Sequence, residues 1–117
     1  MHRPSRPDNG ERRVCRVYVI ELHPEVLTQR RFVRENPRRH PGKPCLYVGS
    51  TCLTPEERFR HHMRGHKANP FVYRYGVRLR PELYGHYPEL TRDEAELSER
   101  ELALELRRQG YAVWFNV

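Results

Sequence analysis

Two four-residue patterns, Thr54-Pro55-Glu56-Glu57 and Thr91-Arg92-Asp93-Glu94, constrain this chain more than any other feature. In each, a threonine stands three residues ahead of a glutamate. Its hydroxyl can cap the first helical turn while the carboxylate reaches back to the N–H of the cap. Pro55 adds a second signal, because its missing N–H and fixed φ suit the first helical position. The first pattern predicts a helix to about Arg64, stopped by Gly65, with Phe59 and Met63 on one edge. The second opens the longest helix, to about Gln109, with Gly110 as its stop. Residues 14–22 (VCRVYVIEL) and 45–49 (CLYVG) are rich in β-branched and aromatic side chains and read as strands. Asn69-Pro70 starts a short helix ending near Gly76, and residues 77–79 supply a third strand. The apolar tail 111–115 (YAVWF) must pack back onto the body. This order implies an α+β fold, a small antiparallel three-stranded sheet flanked by helices.

At 117 residues the chain is one domain of ordinary size. Residues 1–13, polar and holding Pro4, Pro7 and Gly10, read as a flexible basic arm ahead of a single domain over 14–117. Residues 23–44 form an inserted basic loop with four prolines, in which one short helix around 25–34 starts at Pro24. From Arg30 to Lys43 the loop carries Arg30, Arg31, Arg34, Arg38, Arg39 and Lys43 against a single acid, Glu35. Lys+Arg is 22 against Asp+Glu 15, and the excess lies in the first two thirds of the chain. A net charge of +7 makes a polyanion, nucleic acid first, the expected partner. No apolar run approaches the ~18 residues of a membrane span, and the start, MHRPSRPDNGERR, has no apolar stretch of a secretory signal. A cytoplasmic location away from membranes is therefore expected. Cys15, Cys45 and Cys52 are odd in number and contain no Cys-x-x-Cys pair. That argues against a disulfide framework or a four-cysteine zinc site and for reduced thiols.

The last helix carries the most chemistry. At 100° per residue Ala95, Glu99, Leu102 and Leu106 fall on one stripe, so a carboxylate stands inside an apolar face. Such a group costs several kcal/mol unless it is paired or bound to a metal. Composition alone favours a buried Glu99–Arg ion pair, with metal ligation as the alternative. In the first long helix Arg58 and His62 are four apart and therefore neighbours. Arginine can clamp a phosphate and histidine can move a proton near neutral pH, although Arg60, His61, Arg64 and His66 also make this stretch a solvated basic face. His62 and His66 have helical zinc spacing but nothing between them to strengthen it. Tyr18 and Tyr47 stand in the two apolar strands, where aromatics are more often core than catalyst.

Taken together, these residues resemble the GIY-YIG nuclease domain. Residues 46–51 (LYVGST) followed by 53–62 (LTPEERFRHH) are similar to its second motif and to the helix whose Arg and His follow. Arg16-Val17-Tyr18 resembles the first motif, with Arg16 where the family usually has Gly. Glu94-Ala95-x-x-x-Glu99 resembles its metal-binding helix. The interval of 28 residues between Tyr18 and Tyr47 is longer than the family commonly shows. It is the basic loop, which reads as an added binding element.

The resemblance implies phosphodiester hydrolysis in DNA, rather than RNA, assisted by Mg²⁺ or Mn²⁺. Glu99 would hold the metal and Arg58 would neutralise the scissile phosphate. Tyr18 or Tyr47 would orient or deprotonate the attacking water, with His62 tuning that tyrosine or sharing the proton transfer. Asn116, or less readily Asn69, would be the late polar residue of the family. Ser50 and Thr51 would donate to phosphate or satisfy the turn. Arg30, Arg31, Arg38, Arg39, Lys43 and Lys67 would grip the nucleic acid. Two rivals stand beside this reading: a nucleic-acid-binding module without catalysis, and a small basic docking protein with Glu99 paired to Arg.

Overall fold

Strands β1 (Arg16–Leu22) and β2 (Cys45–Thr51) form the centre of the fold, antiparallel from Arg16 opposite Thr51 to Leu22 opposite Cys45. A computed structural model describes residues 14–116, so the basic arm expected over 1–13 lies outside the described residues. Helix α1 (Arg30–Arg34) lies between the two strands, α2 (Pro55–Met63) and α3 (Pro70–Tyr75) follow β2, and β3 (Gly76–Leu79) pairs antiparallel with β1. Helix α4 (Arg92–Arg108) then leads to β4 (Ala112–Phe115). Both capping boxes form: Thr54 accepts from the Glu57 N–H and Thr91 from the Glu94 N–H, each glutamate returning a bond to its cap.

The fold is α+β, with one correction to the expected sheet. It has four strands, not three, in the order β3-β1-β2-β4, and β4 runs parallel to β2. The tail does pack back, but as an edge strand. Helix α4 makes a crossover long enough to bring the chain round to the same direction as β2, which a short hairpin cannot do. The outward edge of β4 is closed by side chains. The Val113 N–H donates to Asn36 Oδ1 at 2.8 Å, and Arg107 Nη2 donates to the Val113 carbonyl at 2.8 Å. Asn36, itself buried, donates from Nδ2 to the Phe32 carbonyl at 2.9 Å. An edge strand so capped is a poor template for another chain.

Segment 23–44 also departs from expectation. The single helix around 25–34 is split into a 3-10 turn, Pro24–Thr28, and α1, with Gln29 extended at φ −88°, ψ 115° between them. It is not a plain inserted loop, because Val26, Phe32 and Asn36 are buried in the core.

A second correction concerns the cysteines. Cys15 and Cys52 form a disulfide, leaving Cys45 as the free thiol. Arg16 faces Thr51 in the ladder, so the residues just outside that pair face each other in turn. The expectation of reduced thiols fails because pairing depends on strand register, which cysteine spacing does not contain.

Candidate active site

Successive side chains of a strand point to opposite faces, and the β1–β2 register decides which ones meet. Tyr18 lies opposite Gly49, Ile20 opposite Tyr47, and Tyr47 is in register with Trp114. The two tyrosine rings stand side by side with centroids 6.2 Å apart. Gly49 makes this possible. A Cβ there would stand 2.6 Å from Tyr18 Oη and 2.9 Å from Tyr47 Cε2, distances no real Cβ adopts.

Helix α2 covers this face and delivers His62, fully buried, with its Nε2 2.9 Å from Tyr18 Oη. Its other nitrogen, Nδ1, accepts the backbone N–H of Asn69 at 3.2 Å. Asn69 is placed for this because its side chain caps α3, accepting from the Phe71 and Val72 amides. Arg58, four residues before His62, donates to the carbonyls of His66 at 3.3 Å and Lys67 at 2.8 Å. It thereby holds the turn in which Lys67 adopts a left-handed φ of 48°. Two of its five N–H donors are used in this way and Arg58 also hydrogen-bonds Tyr18, which leaves at most two for a ligand.

Glu99 approaches from the opposite side of the sheet. It is buried on α4 among Ala95, Leu102 and Leu106, as the helical stripe predicts. Ser50 Oγ donates to Glu99 Oε1 at 2.8 Å. Among the described residues no Lys, Arg or His forms an ion pair with it, so the expected Glu99–Arg pair is absent. Asn116, just past β4, donates from Nδ2 to Tyr47 Oη at 2.7 Å, while its backbone amide favours the Glu99 carboxylate. A line of contacts thus runs from Asn69 through His62, Tyr18, Tyr47 and Asn116 to Glu99 and Ser50. The cleft over Glu99, about 380 Å³, is rimmed by Ser50, Arg92, Glu96, Arg100 and Asn116.

The protonation states follow from burial. Burial pushes Glu99 up to about 7, against the opposing pull of Ser50 and the Asn116 amide. Burial, reinforced by the Arg58 charge, lowers His62 to about 4, so the ring is neutral at pH 7. Tyr47 is raised to about 12, by burial first and then by the Glu99 charge. Tyr18 is held well above the usual tyrosine value by burial and by Tyr47, with Arg58 acting in the opposite direction.

Tyr18, Tyr47, His62, Glu99 and Asn116 therefore converge, with Arg58 beside them. Ser50 and Thr51 part company: Ser50 joins Glu99, whereas Thr51 accepts the Leu53 N–H within the turn. The proposed phosphate grips are dispersed. Arg31 lies over Phe71 and Trp114, Lys43 over Tyr111, and Arg39 donates to the Asn36 carbonyl, while Arg30, Arg38 and Lys67 are exposed. The sequence reading missed Gly49 as a steric requirement, the Asn69 amide as the partner of His62, and Arg92 and Arg100 at the rim. The alternation of tyrosine and glycine across two strands was the available signal for the first.

No group of three or more His, Cys, Asp or Glu side chains gathers to hold a metal among the described residues. A lone buried carboxylate does fit Mg²⁺ or Mn²⁺, ions that take one or two carboxylates and keep waters and substrate phosphate as their other ligands. A cation there would also offset the burial that keeps Glu99 near half-protonated at neutral pH. Comparison with protein-family models, with curated proteins and with solved structures finds no match to the chain.

Proposed function

We propose that this protein is a divalent-metal-dependent endonuclease of the GIY-YIG type, hydrolysing phosphodiester bonds in DNA. One observation carries the reading: among the described residues Glu99 is buried without a cationic partner, at the end of a line of polar groups that begins at His62 and Tyr18. A binding module has no use for an unpaired buried carboxylate, which destabilises the fold that holds it.

In this scheme Glu99 would hold Mg²⁺ or Mn²⁺, and the ion would supply Lewis-acid stabilisation of charge on the phosphate. Arg58 directs its free donors at the scissile phosphate. Tyr18, which burial keeps protonated, orients the attacking water through its hydroxyl. His62 donates from Nε2 to the Tyr18 oxygen and so leaves the Tyr18 O–H to point at that water. Tyr47, held by Asn116, packs Tyr18 in place. Arg30, Arg38 and Lys67, exposed and basic, contact phosphates outside the reacting centre.

A panel of labelled DNA and RNA structures, incubated with Mg²⁺, Mn²⁺ or EDTA, tests the reading. Cleavage of DNA in the metal lanes alone is expected. Binding without cleavage in any lane would make the chain a nucleic-acid-binding module instead.

A further inference from the structure

Beyond Tyr47, at the edge of the sheet, lies a second cluster that hydrolysis leaves unused. Trp114 is in register with Tyr47, and alternate residues of a strand share a face, so Trp114 stands on the side that bears the tyrosines. Phe71 meets its ring edge-on, with centroids 4.8 Å apart. The Arg31 guanidinium lies over both rings, 5.3 Å from Trp114 and 5.9 Å from Phe71. With Gln29, Asn69 and Arg74 they line a pocket of about 220 Å³. That is below the ~300 Å³ at which drug-sized ligands begin, and it suits one planar ring system.

The lining chemistry is specific. Arg31 and Arg74 rest against aromatic rings and pair with no carboxylate among the described residues, so their charge remains for an anion. Gln29, part of the lining, donates from Nε2 to Tyr75 Oη at 2.8 Å, which leaves its amide carbonyl free to accept. Asn69 is at once a wall of this pocket and, through its backbone N–H, the partner of His62. The pocket is therefore one residue away from the Tyr18–His62 pair. A half-buried tryptophan, arginine charge and hydrogen-bonding amides are the parts that hold an unstacked base against its own phosphates.

We propose that this pocket takes one unpaired nucleobase of the strand being cut, which stacks on Trp114 in the place where the exposed Arg31 guanidinium now lies 5.3 Å from the ring, with Arg31 turned out to the adjoining phosphate. The substrate class is then nucleic acid with an unstacked nucleotide beside the scissile phosphate, rather than continuous duplex. The inference rests on the nuclease reading for the cleavage, but not for the binding. A base within a duplex enters only after it has been unpaired and unstacked, which disfavours duplex at this pocket. Stacking accepts any base, so selectivity falls on strand structure and not on sequence.

The chain has a single tryptophan, so its emission reports on this pocket directly. The full chain is titrated in EDTA with a short single-stranded DNA, the same sequence as a blunt duplex, and the same strand with central abasic sites. Affinities are measured in parallel by anisotropy of labelled copies. Single-stranded DNA is expected to quench Trp114 and to bind on the order of tenfold tighter than the duplex or the abasic strand. Trp114→Phe and Arg31→Ala should each lower single-strand affinity more than duplex affinity and so remove most of that preference. Arg31 is exposed, so its truncation keeps the test open if the tryptophan variant fails to fold. Equal quenching by the abasic strand or the duplex, or tight binding with emission unchanged, would overturn the proposal. EDTA separates the two readings. A chain that quenches but never cuts contradicts the nuclease and supports the pocket. One that cuts duplex and single strands alike with Trp114 silent overturns the pocket and leaves the nuclease standing.

Discussion

The Nδ1 of His62 accepts the backbone N–H of Asn69, and this bond decides which nitrogen of the ring carries the proton. A backbone amide can only donate, so Nδ1 is unprotonated. With the ring neutral at pH 7, the proton is on Nε2, 2.9 Å from Tyr18 Oη. His62 is thus a donor to the tyrosine and not its base. Ring ¹⁵N–¹H NMR should find the Nε2–H tautomer from pH 5 to 8, with titration near the depressed value of about 4. A midpoint at the ordinary histidine value of ~6.5 would contradict the assignment.

Gly49→Ala tests the packing that brings the tyrosines together. Its Cβ would stand 2.6 Å from Tyr18 Oη, so Tyr18 must move and its bond to His62 must lengthen. Overpacking of this kind costs about 1–3 kcal/mol. Thermal unfolding should show that loss, and cleavage should fall further than stability accounts for. Gly42→Ala is the control, because a Cβ at that position would meet nothing within 4 Å. Equal behaviour of the two variants would remove the steric role of Gly49.

Much of this arrangement is written in local sequence. The capping boxes set the starts of α2 and α4 at Thr54 and Thr91, and the 3.6-residue period places Glu99 among Ala95, Leu102 and Leu106. The two tyrosines and the Arg58–His62 pair could be singled out for the same reason, since each belongs to one regular element. What could not be read depends on register between distant segments. The parallel pairing of β4 with β2 joins Tyr47 to Trp114 across 66 intervening residues, and nothing in residues 111–115 encodes that partner. The Cys15–Cys52 bond, the contact between Ser50 and Glu99, and the capping of Val113 by Asn36 all depend on such pairing. The partner of His62 is a backbone amide, which no residue identity reveals.

The stability of the metal-free protein should depend on pH through Glu99. Its folded pKa of about 7 is raised above the unfolded value near 4.5, so its contribution is present below pH 4.5 and lost as pH rises through 7. His62 acts oppositely: its folded value of about 4 lies below the ordinary 6.5, so stability is lost as pH falls through that window. Glu99→Gln isolates the first effect. Without metal it should match wild type at pH 4 and exceed it at pH 8, by on the order of 3 kcal/mol. A variant destabilised at pH 8 would instead indicate a cationic partner of Glu99.

Reduction of the Cys15–Cys52 disulfide, or Cys15→Ser with Cys52→Ser, should lower the thermal midpoint. The bond closes a loop with a sequence separation of 37, for which about 2–4 kcal/mol is expected. It ties the start of β1, which carries Tyr18, to the end of β2, just before the Thr54 cap of α2. Calorimetry with and without reductant checks this, and an unchanged midpoint would show that the bond does not constrain the chain in solution.

The central claim is that Glu99 is a metal ligand, and Glu99→Gln tests it most directly when cleavage and Mg²⁺ affinity are measured on the same folded preparation. Gln keeps the size of the side chain and its acceptor for Ser50, but removes the charge that a divalent cation requires. Cleavage is expected to fall by orders of magnitude and Mg²⁺ affinity to drop, with the fold and DNA binding intact. A Glu99→Gln protein that binds Mg²⁺ and cuts DNA at the wild-type rate would contradict the account.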